Sequence, residues 1–443
     1  MVTLNTIKAE VFKRRPVLGE IYGTFGSQVL LDYIRQWPVP NVALDPLFMQ
    51  AVFSVSENIF GSFIAQHISG QLQQQPLVST IDHHGLWGHP IFVNADVLYS
   101  LHFQNSEIAV ALATESVSLN NTSSWSASIL HHGAKGDLVR ASLLKDKYKN
   151  LPVLSAPAIT ETHIARVEKL HPEICAVIEA AEMQTNISAK DFSTQASILS
   201  NILWKKVFPS APNLFYIPLE RTVGWFLQNL SPSHPVHTLV FTEQGREVWK
   251  QVFPNEHTYL FWQLDHKNRR QPLAHIQNSE EIEHNIKTGR WYASSPLCFA
   301  VLLVSGVACV GGFTQTTWLT AIAEKLSEAY IKLGLTDTAH FVRGIPTKFF
   351  AESALAFLRV QNGIIRPTAA DLLASGKDWY GAFANLARKI TLQTSIDLNL
   401  PTIYSVVVPK SEQGPAFNLA AMEKQALKES GIEHLLTSPK TLL

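Results

Sequence analysis

Cysteine is scarce: Cys175, Cys298 and Cys309 are the three in 443 residues. So few thiols, with no CxxC spacing, exclude a disulfide framework and point to a reducing compartment. Charge is scarce too. Lys, Arg, Asp and Glu make up 16% of the chain, against roughly 25% in an ordinary globular protein. The 36 basic and 36 acidic residues cancel, which speaks against a generic nucleic-acid binder. The first twenty residues carry charges and lack the apolar stretch of a secretory signal, so a cytoplasmic location is expected. GxGxxG, GK[ST], GxSxG and HExxH are all missing, which leaves no nucleotide loop, serine elbow or helical zinc motif.

One long stretch does lack charge. Residues 291–323 hold 33 positions without Lys, Arg, Asp or Glu. About 20 apolar residues suffice to span a bilayer. Here Gly306, Gly311 and Gly312 dilute the run and Pro296 opens it as a helix start, so it reads as a buried core helix and no membrane role is expected.

The 46% hydrophobic content supports a large core. Helical spacing covers residues 29–34 and 47–72, and most of 161–228 and 279–398. Shorter β-like runs occupy 77–119, including Ile91, Phe92, Val93, Val97 and Tyr99. Residues 259–276 read as a hairpin and 402–408 as a late strand. The expected class is α+β: an early, short-stranded antiparallel or mixed sheet with a large helical remainder. The division offered is 1–155, a helical N-terminus plus the β-rich segment, and 156–443, mainly helical with the hairpin. One continuous domain is the alternative.

Zero net charge hides an asymmetry. Residues 36–134, a window of 99, contain no Lys or Arg and six acids: Asp45, Glu57, Asp82, Asp96, Glu107 and Glu115. Burial alone explains such a gap, because a buried segment has no use for Lys. A functional explanation is that imidazoles and carboxylates are kept free of competing cations, which suits a bound metal. Six of the 17 histidines (His83, His84, His89, His102, His131, His132) fall within residues 83–132.

Ser79-Thr80-Ile81-Asp82-His83-His84-Gly85-Leu86-Trp87-Gly88-His89 follows an apolar strand. In extended chain Asp82 and His84 share a face, and His89 returns across the glycine-flanked loop. Two imidazoles and a carboxylate suit non-haem Fe(II), or Zn(II) with a water. Asp82, His84 and His89 are therefore the expected metal ligands, with His83 or one of His131 and His132 as alternates and with Asn94 and Asp96 orienting them. The competing explanation is a loop ordered by ordinary side-chain hydrogen bonds. The string Thr80-Ile81-Asp82-His83-His84 after a strand resembles the signature of the DHH phosphoesterases. That resemblance implies metal-dependent phosphoester hydrolysis, but it covers these residues alone. Only Asp32 and Asp45 precede them, without the paired aspartates that hold two metals in that family.

His131-His132-Gly133 is a second pair, followed by the basic residues Lys135, Arg140, Lys145, Lys147 and Lys149 and preceded by the polar run Ser118-Leu119-Asn120-Asn121-Thr122. His83, His131 and Glu115 are the candidates for proton transfer. Asn94, Asn120 and Arg140 are the candidates for holding substrate, Arg140 through an anionic group. The leading expectation is a metal-dependent enzyme, iron or zinc, that acts on a small-molecule substrate by hydrolysis or oxidative tailoring. The alternatives are a metal-free binding protein with structural histidines and a DHH-like phosphoesterase. No nucleotide cofactor is indicated, no nucleic-acid or membrane partner is expected, and a homo-oligomer is left open.

Overall fold

The computed structural model describes residues 3–438, except 122–124, 134–135, 181–190, 254–258, 274–275, 277, 362 and 437. Twelve strands occur among the described residues. They are β1 (Leu77–Ser79), β2 (Ile108–Ala113), β3 (Ser128–His132), β4 (Leu138–Ser142), β5 (Asn213–Pro218) and β6 (Phe261–Leu264), then β7 (Arg270–Pro272), β8 (Trp291–Ala293), β9 (Ala308–Gly311), β10 (Phe349–Phe350), β11 (Leu358–Val360) and β12 (Gly363–Ile365).

Five of them form one sheet in the order β10-β9-β1-β2-β5, and every pairing in it is parallel. Val78 lies opposite Cys309, and Ala111 opposite Tyr216. β1, β2 and β9 are buried along their whole length, which is why they read as continuous apolar runs. The expected early antiparallel or mixed sheet is thus corrected: the sheet is parallel and gathers strands from residues 77 to 350. Parallel neighbours need long crossovers, and here helices fill the segments between strands. The chain runs outward from β1 through β2 to β5 on one side, and through β9 to β10 on the other. The order reverses between β1 and β9, so ligand chemistry is expected beyond the carboxyl ends of the strands.

Several local readings change for identifiable reasons. Residues 90–102 form a helix, Pro90–His102, with Pro90 in its first turn and His89 as its cap. It is apolar almost all round, so no amphipathic period marked it as helical. Asn94 and Asp96 therefore lie on a helix and not on a strand. Tyr99 pins this helix to the sheet by donating to the carbonyls of Leu77 and Val110, at 3.1 and 2.7 Å. Residues 47–72 are two helices, Pro46–Phe60 and Ser62–Gln74, split at Gly61 with φ of +84°. Residues 402–407 finish the helix Leu392–Val407, Pro401 included, Val408 caps it, and no strand forms there. β5 lies inside the stretch read as helical.

The hairpin reading holds, and the core-helix reading of 291–323 holds for ten residues only. β6 and β7 make the expected hairpin, whose residues 274–275 lie outside the described ones, and β8 joins it antiparallel. The uncharged stretch 291–323 divides into β8, the buried ten-residue helix Ser295–Val304, β9 and the start of the helix Gln315–Lys332. Among the described residues no helix is long and apolar enough to cross a membrane.

The main core draws on residues from Ile7 to Ile432, on both sides of residue 155. A smaller cluster between residues 119 and 199 packs β4 against the helices Glu161–Leu170 and Phe192–Val207. This smaller body docks onto the loop after β1. Leu86 N–H donates to Ser126 O at 2.7 Å. Gly85, at φ of +150°, comes so near that a Cβ there would lie 2.4 Å from Ser126 Cβ.

Candidate functional site at the carboxyl edge of the sheet

β1 runs on into Asp82, His83 and His84; β2 into Thr114, Glu115 and Ser116; β5 into Leu219, Glu220 and Arg221. His83 and Thr114 extend the β1–β2 pairing by one parallel bridge. The sheet thereby delivers three acids and an arginine to one edge. The Glu220 carboxylate accepts from Glu115 N–H at 2.8 Å, Ser116 N–H at 3.2 Å and Thr114 Oγ1 at 2.5 Å, fixing the turn after β2.

Glu115 is 1% exposed. Ser193 Oγ donates to its Oε2 at 2.6 Å, and Arg221 Nε lies 3.2 Å from the same oxygen. Burial pushes the Glu115 carboxyl up to about 7, with Arg221 restraining the rise and Glu220 adding to it. Arg221 also pairs with Asp191 at 2.8 Å. Asp191 in turn caps the helix Phe192–Val207 through Thr194 N–H. Burial opposes charge on both partners, yet the pairing outweighs it. Asp191 is held below the usual carboxylate range, and the Arg221 guanidinium above its own.

This cluster borders a cleft of about 340 Å³, lined in part by Thr194, Glu220, Arg221, Trp225, Trp291 and Tyr292. Burial raises the Tyr292 hydroxyl, and the charge of Glu115 raises it further. Arg221 keeps 31% of its side chain exposed, so the buried Glu115 meets the cleft through it.

Asp82 belongs to a second, sealed group. Tyr216 donates to Asp96 Oδ2, and Trp87 Nε1 donates to the same oxygen at 2.9 Å. Asp82 is 3% exposed, Asp96 is fully buried, and Oδ1 of each has no hydrogen-bond partner among the described residues. Burial raises Asp96 to about 7; burial and the charge of Asp96 raise Asp82 well above the usual range. Two carboxyls so placed hold at least one proton between them.

The expected ligands Asp82, His84 and His89 are not brought together as a ligand group. His84 is fully buried, and its Nε2 bonds Ser193 O at 3.0 Å. His89 Nδ1 accepts from Ile91 N–H at 3.3 Å as the helix cap. Burial pushes His83, His84 and His89 down to about 4, so all three are neutral at physiological pH. Asn94 uses its amide on Pro90 O and on the N–H groups of Leu355 and Ala356, tying the helix Pro90–His102 to the loop after β10. Asn120 bonds Ser118 and Asn150 on the surface. Arg140 stacks over Trp125, 5.7 Å from the ring centre. Lys135 and Thr122 lie outside the described residues.

The second histidine pair divides. His132 bonds Asp371 twice, Nδ1 to Oδ2 at 2.6 Å and backbone N–H to Oδ1 at 2.9 Å. His131 faces Glu173 and His171. Among the described residues these three are the one group of three or more His, Cys, Asp or Glu whose ligand atoms all lie within 4.8 Å of one another.

A mixed helix-and-sheet protein on a parallel sheet, with a polar carboxyl edge, is what the fold and site define. No protein-family model, curated protein or solved structure matches the chain. Of the edge residues, Glu115, Asp82 and the two histidine pairs were legible in the sequence. Asp191, Ser193, Glu220, Arg221, Tyr292, His171 and Glu173 were not singled out. For Glu220 and Arg221 a signal was present: they directly follow the apolar run Leu214-Phe215-Tyr216-Ile217-Pro218-Leu219.

Proposed function

We propose that the protein is an enzyme acting on a small molecule at the carboxyl edge of its sheet, with Glu115 as the group that moves the proton. One observation carries this reading: Glu115 is held near 7 beside Arg221, at the border of an aromatic-lined cleft. A general acid or base works best when its pKa lies near the working pH, since both protonation states are then populated. Proton transfer of this kind serves hydrolysis or elimination. Arg221 stabilises the carboxylate form and faces the cleft. The flanking Trp225, Trp291 and Tyr292 suit a substrate with an apolar body. Asp191 and Glu220 outnumber the single guanidinium, which favours a neutral or cationic substrate over an anion.

The test starts with a panel of neutral and cationic small molecules, scored first for thermal stabilisation and then for turnover. For any compound turned over, Glu115→Gln lowers the rate by roughly 10²–10⁴-fold, the usual worth of a positioned acid–base group. The circular dichroism spectrum stays unchanged, and the pH profile of kcat/KM bends near 7. Undiminished turnover by Glu115→Gln contradicts the assignment. Tight binding across the panel without turnover favours the binding-protein alternative instead.

A further inference from the structure

We propose that His131, His171 and Glu173 form a zinc site, separate from the Glu115 cleft and independent of the reading just given. The three side chains come from a strand, a helix end and the turn that follows it. His131 stands in β3, held by its pairing with Val139 of β4. His171 ends the helix Glu161–Leu170, its N–H bonded to Val167 O at 2.7 Å. Pro172 then opens a single 3₁₀ turn, Pro172–Ile174, that carries Glu173. A helix carboxyl end carries partial negative charge and favours a cation.

The spacing matches a metal better than hydrogen bonds. Glu173 Oε1 lies 3.5 Å from His131 Nε2 and 3.5 Å from His171 Nδ1. A tetrahedral zinc with bonds of about 2.0–2.1 Å separates its ligand atoms by roughly 3.3–3.4 Å. Right-angled ligands of an octahedral ion at the same bond lengths would stand about 2.9 Å apart, so the geometry favours the tetrahedron. The donor set of two imidazoles and one carboxylate is one zinc accepts.

An independent observation points to a ligand. His131 is 3% exposed, yet neither ring nitrogen has a hydrogen-bond partner among the described residues. Buried imidazoles are ordinarily satisfied. The adjacent His132, on the opposite face of β3, is satisfied by Asp371. His131 differs from it in having Glu173 Oε1 3.5 Å from its Nε2, His171 close by, and no hydrogen bond to either ring nitrogen among the described residues. The site also has an open side: 27% of the His171 side chain and 40% of the Glu173 side chain are exposed. Three protein ligands with a solvent-facing fourth position are the arrangement of zinc sites that bind water or substrate.

The test uses the full chain, purified without a histidine tag and stripped with a chelator. Zn(II) is titrated by calorimetry, and Co(II) by visible absorption. The expected result is one ion per chain, with the intense bands of four-coordinate Co(II) that Zn(II) displaces. His171→Ala and Glu173→Gln sit on a half-exposed turn and leave the fold intact. Each weakens binding by more than about 100-fold, beyond the 10–100-fold typical of losing an outer partner of a ligand. His131→Leu does the same, while His67→Ala, at an exposed histidine elsewhere, changes nothing. No saturable binding, weak six-coordinate Co(II) bands, or unchanged affinity in His171→Ala and Glu173→Gln would each overturn the proposal.

Discussion

Asp82 and Asp96 share a sealed space with Tyr216 and Trp87, whereas Glu115, after β2, and Glu220, after β5, share theirs with Arg221. Burial raises a carboxyl in each group to about 7, Asp96 in the first and Glu115 in the second. Desolvation is therefore not what separates them. The first group has no cation in contact among the described residues, and its protons are kept by desolvation and mutual repulsion, against the donors Tyr216 and Trp87, which favour the carboxylate. The second has a guanidinium that reaches a cleft, so a change in its protonation is felt where a ligand sits. Similar pKa values at two buried acids can mark a structural proton store in one place and a working group in another. The neighbouring cation and access to the cleft decide which.

The sharpest way to break the comparison is Arg221→Met. It strips Glu115 and Asp191 of their shared cation, and removing one partner of a largely buried pair costs about 3 kcal/mol or more. Urea unfolding at pH 7 should show that loss. A cost below 1 kcal/mol would mean that the guanidinium is solvated and the second group resembles the first.

Tyr216→Phe tests the sealed group. It removes a donor from Asp96 and costs about 2 kcal/mol, the range for leaving a buried polar group unsatisfied. Turnover by any substrate of the Glu115 cleft should be unaffected.

Asp96 also makes a pH prediction. Its folded carboxyl is raised to about 7 from the usual 3.8, so it binds its proton more tightly folded than unfolded. The stability it contributes is complete below the unfolded value and is lost as pH rises toward 7. The unfolding free energy then falls between those limits by at most about 1.4 kcal/mol per pH unit from this group. Asp96→Asn should flatten that slope in unfolding curves taken from pH 4 to 7. An unaltered slope would assign the titration to other groups, Glu115 among them.

The smallest effect concerns His89, which caps the helix Pro90–His102. His89→Ala should cost about 1 kcal/mol, as a lost cap does, and should leave zinc affinity unchanged if the metal sits at His131.

Much of the edge was legible in the sequence, but its geometry was not. The Lys/Arg-free window holds Asp82, Asp96 and Glu115, and its low charge reflects burial that raises all three. The partners that complete the site lie far away in the chain: Tyr216 is 120 residues from Asp96, Arg221 106 from Glu115, and Asp371 239 from His132. Single-sequence spacing carries no record of such contacts. Helix and strand were confused where burial is complete, as in Pro90–His102, because an element buried on all sides shows neither period. The histidine repeat misled in a related way. His83-His84-Gly85 and His131-His132-Gly133 look alike, yet the first pair has neutral, structurally committed rings and the second splits between Asp371 and Glu173.

The charge state of Glu115 decides whether the carboxyl edge can move a proton near neutral pH. Glutamate labelled with ¹³C at the side-chain carboxyl, with the Glu115 resonance identified by its loss in Glu115→Gln, allows a direct titration by NMR. The predicted midpoint is about 7, moving higher in Arg221→Met. A midpoint at the ordinary 4.5 in the folded protein would contradict the central claim.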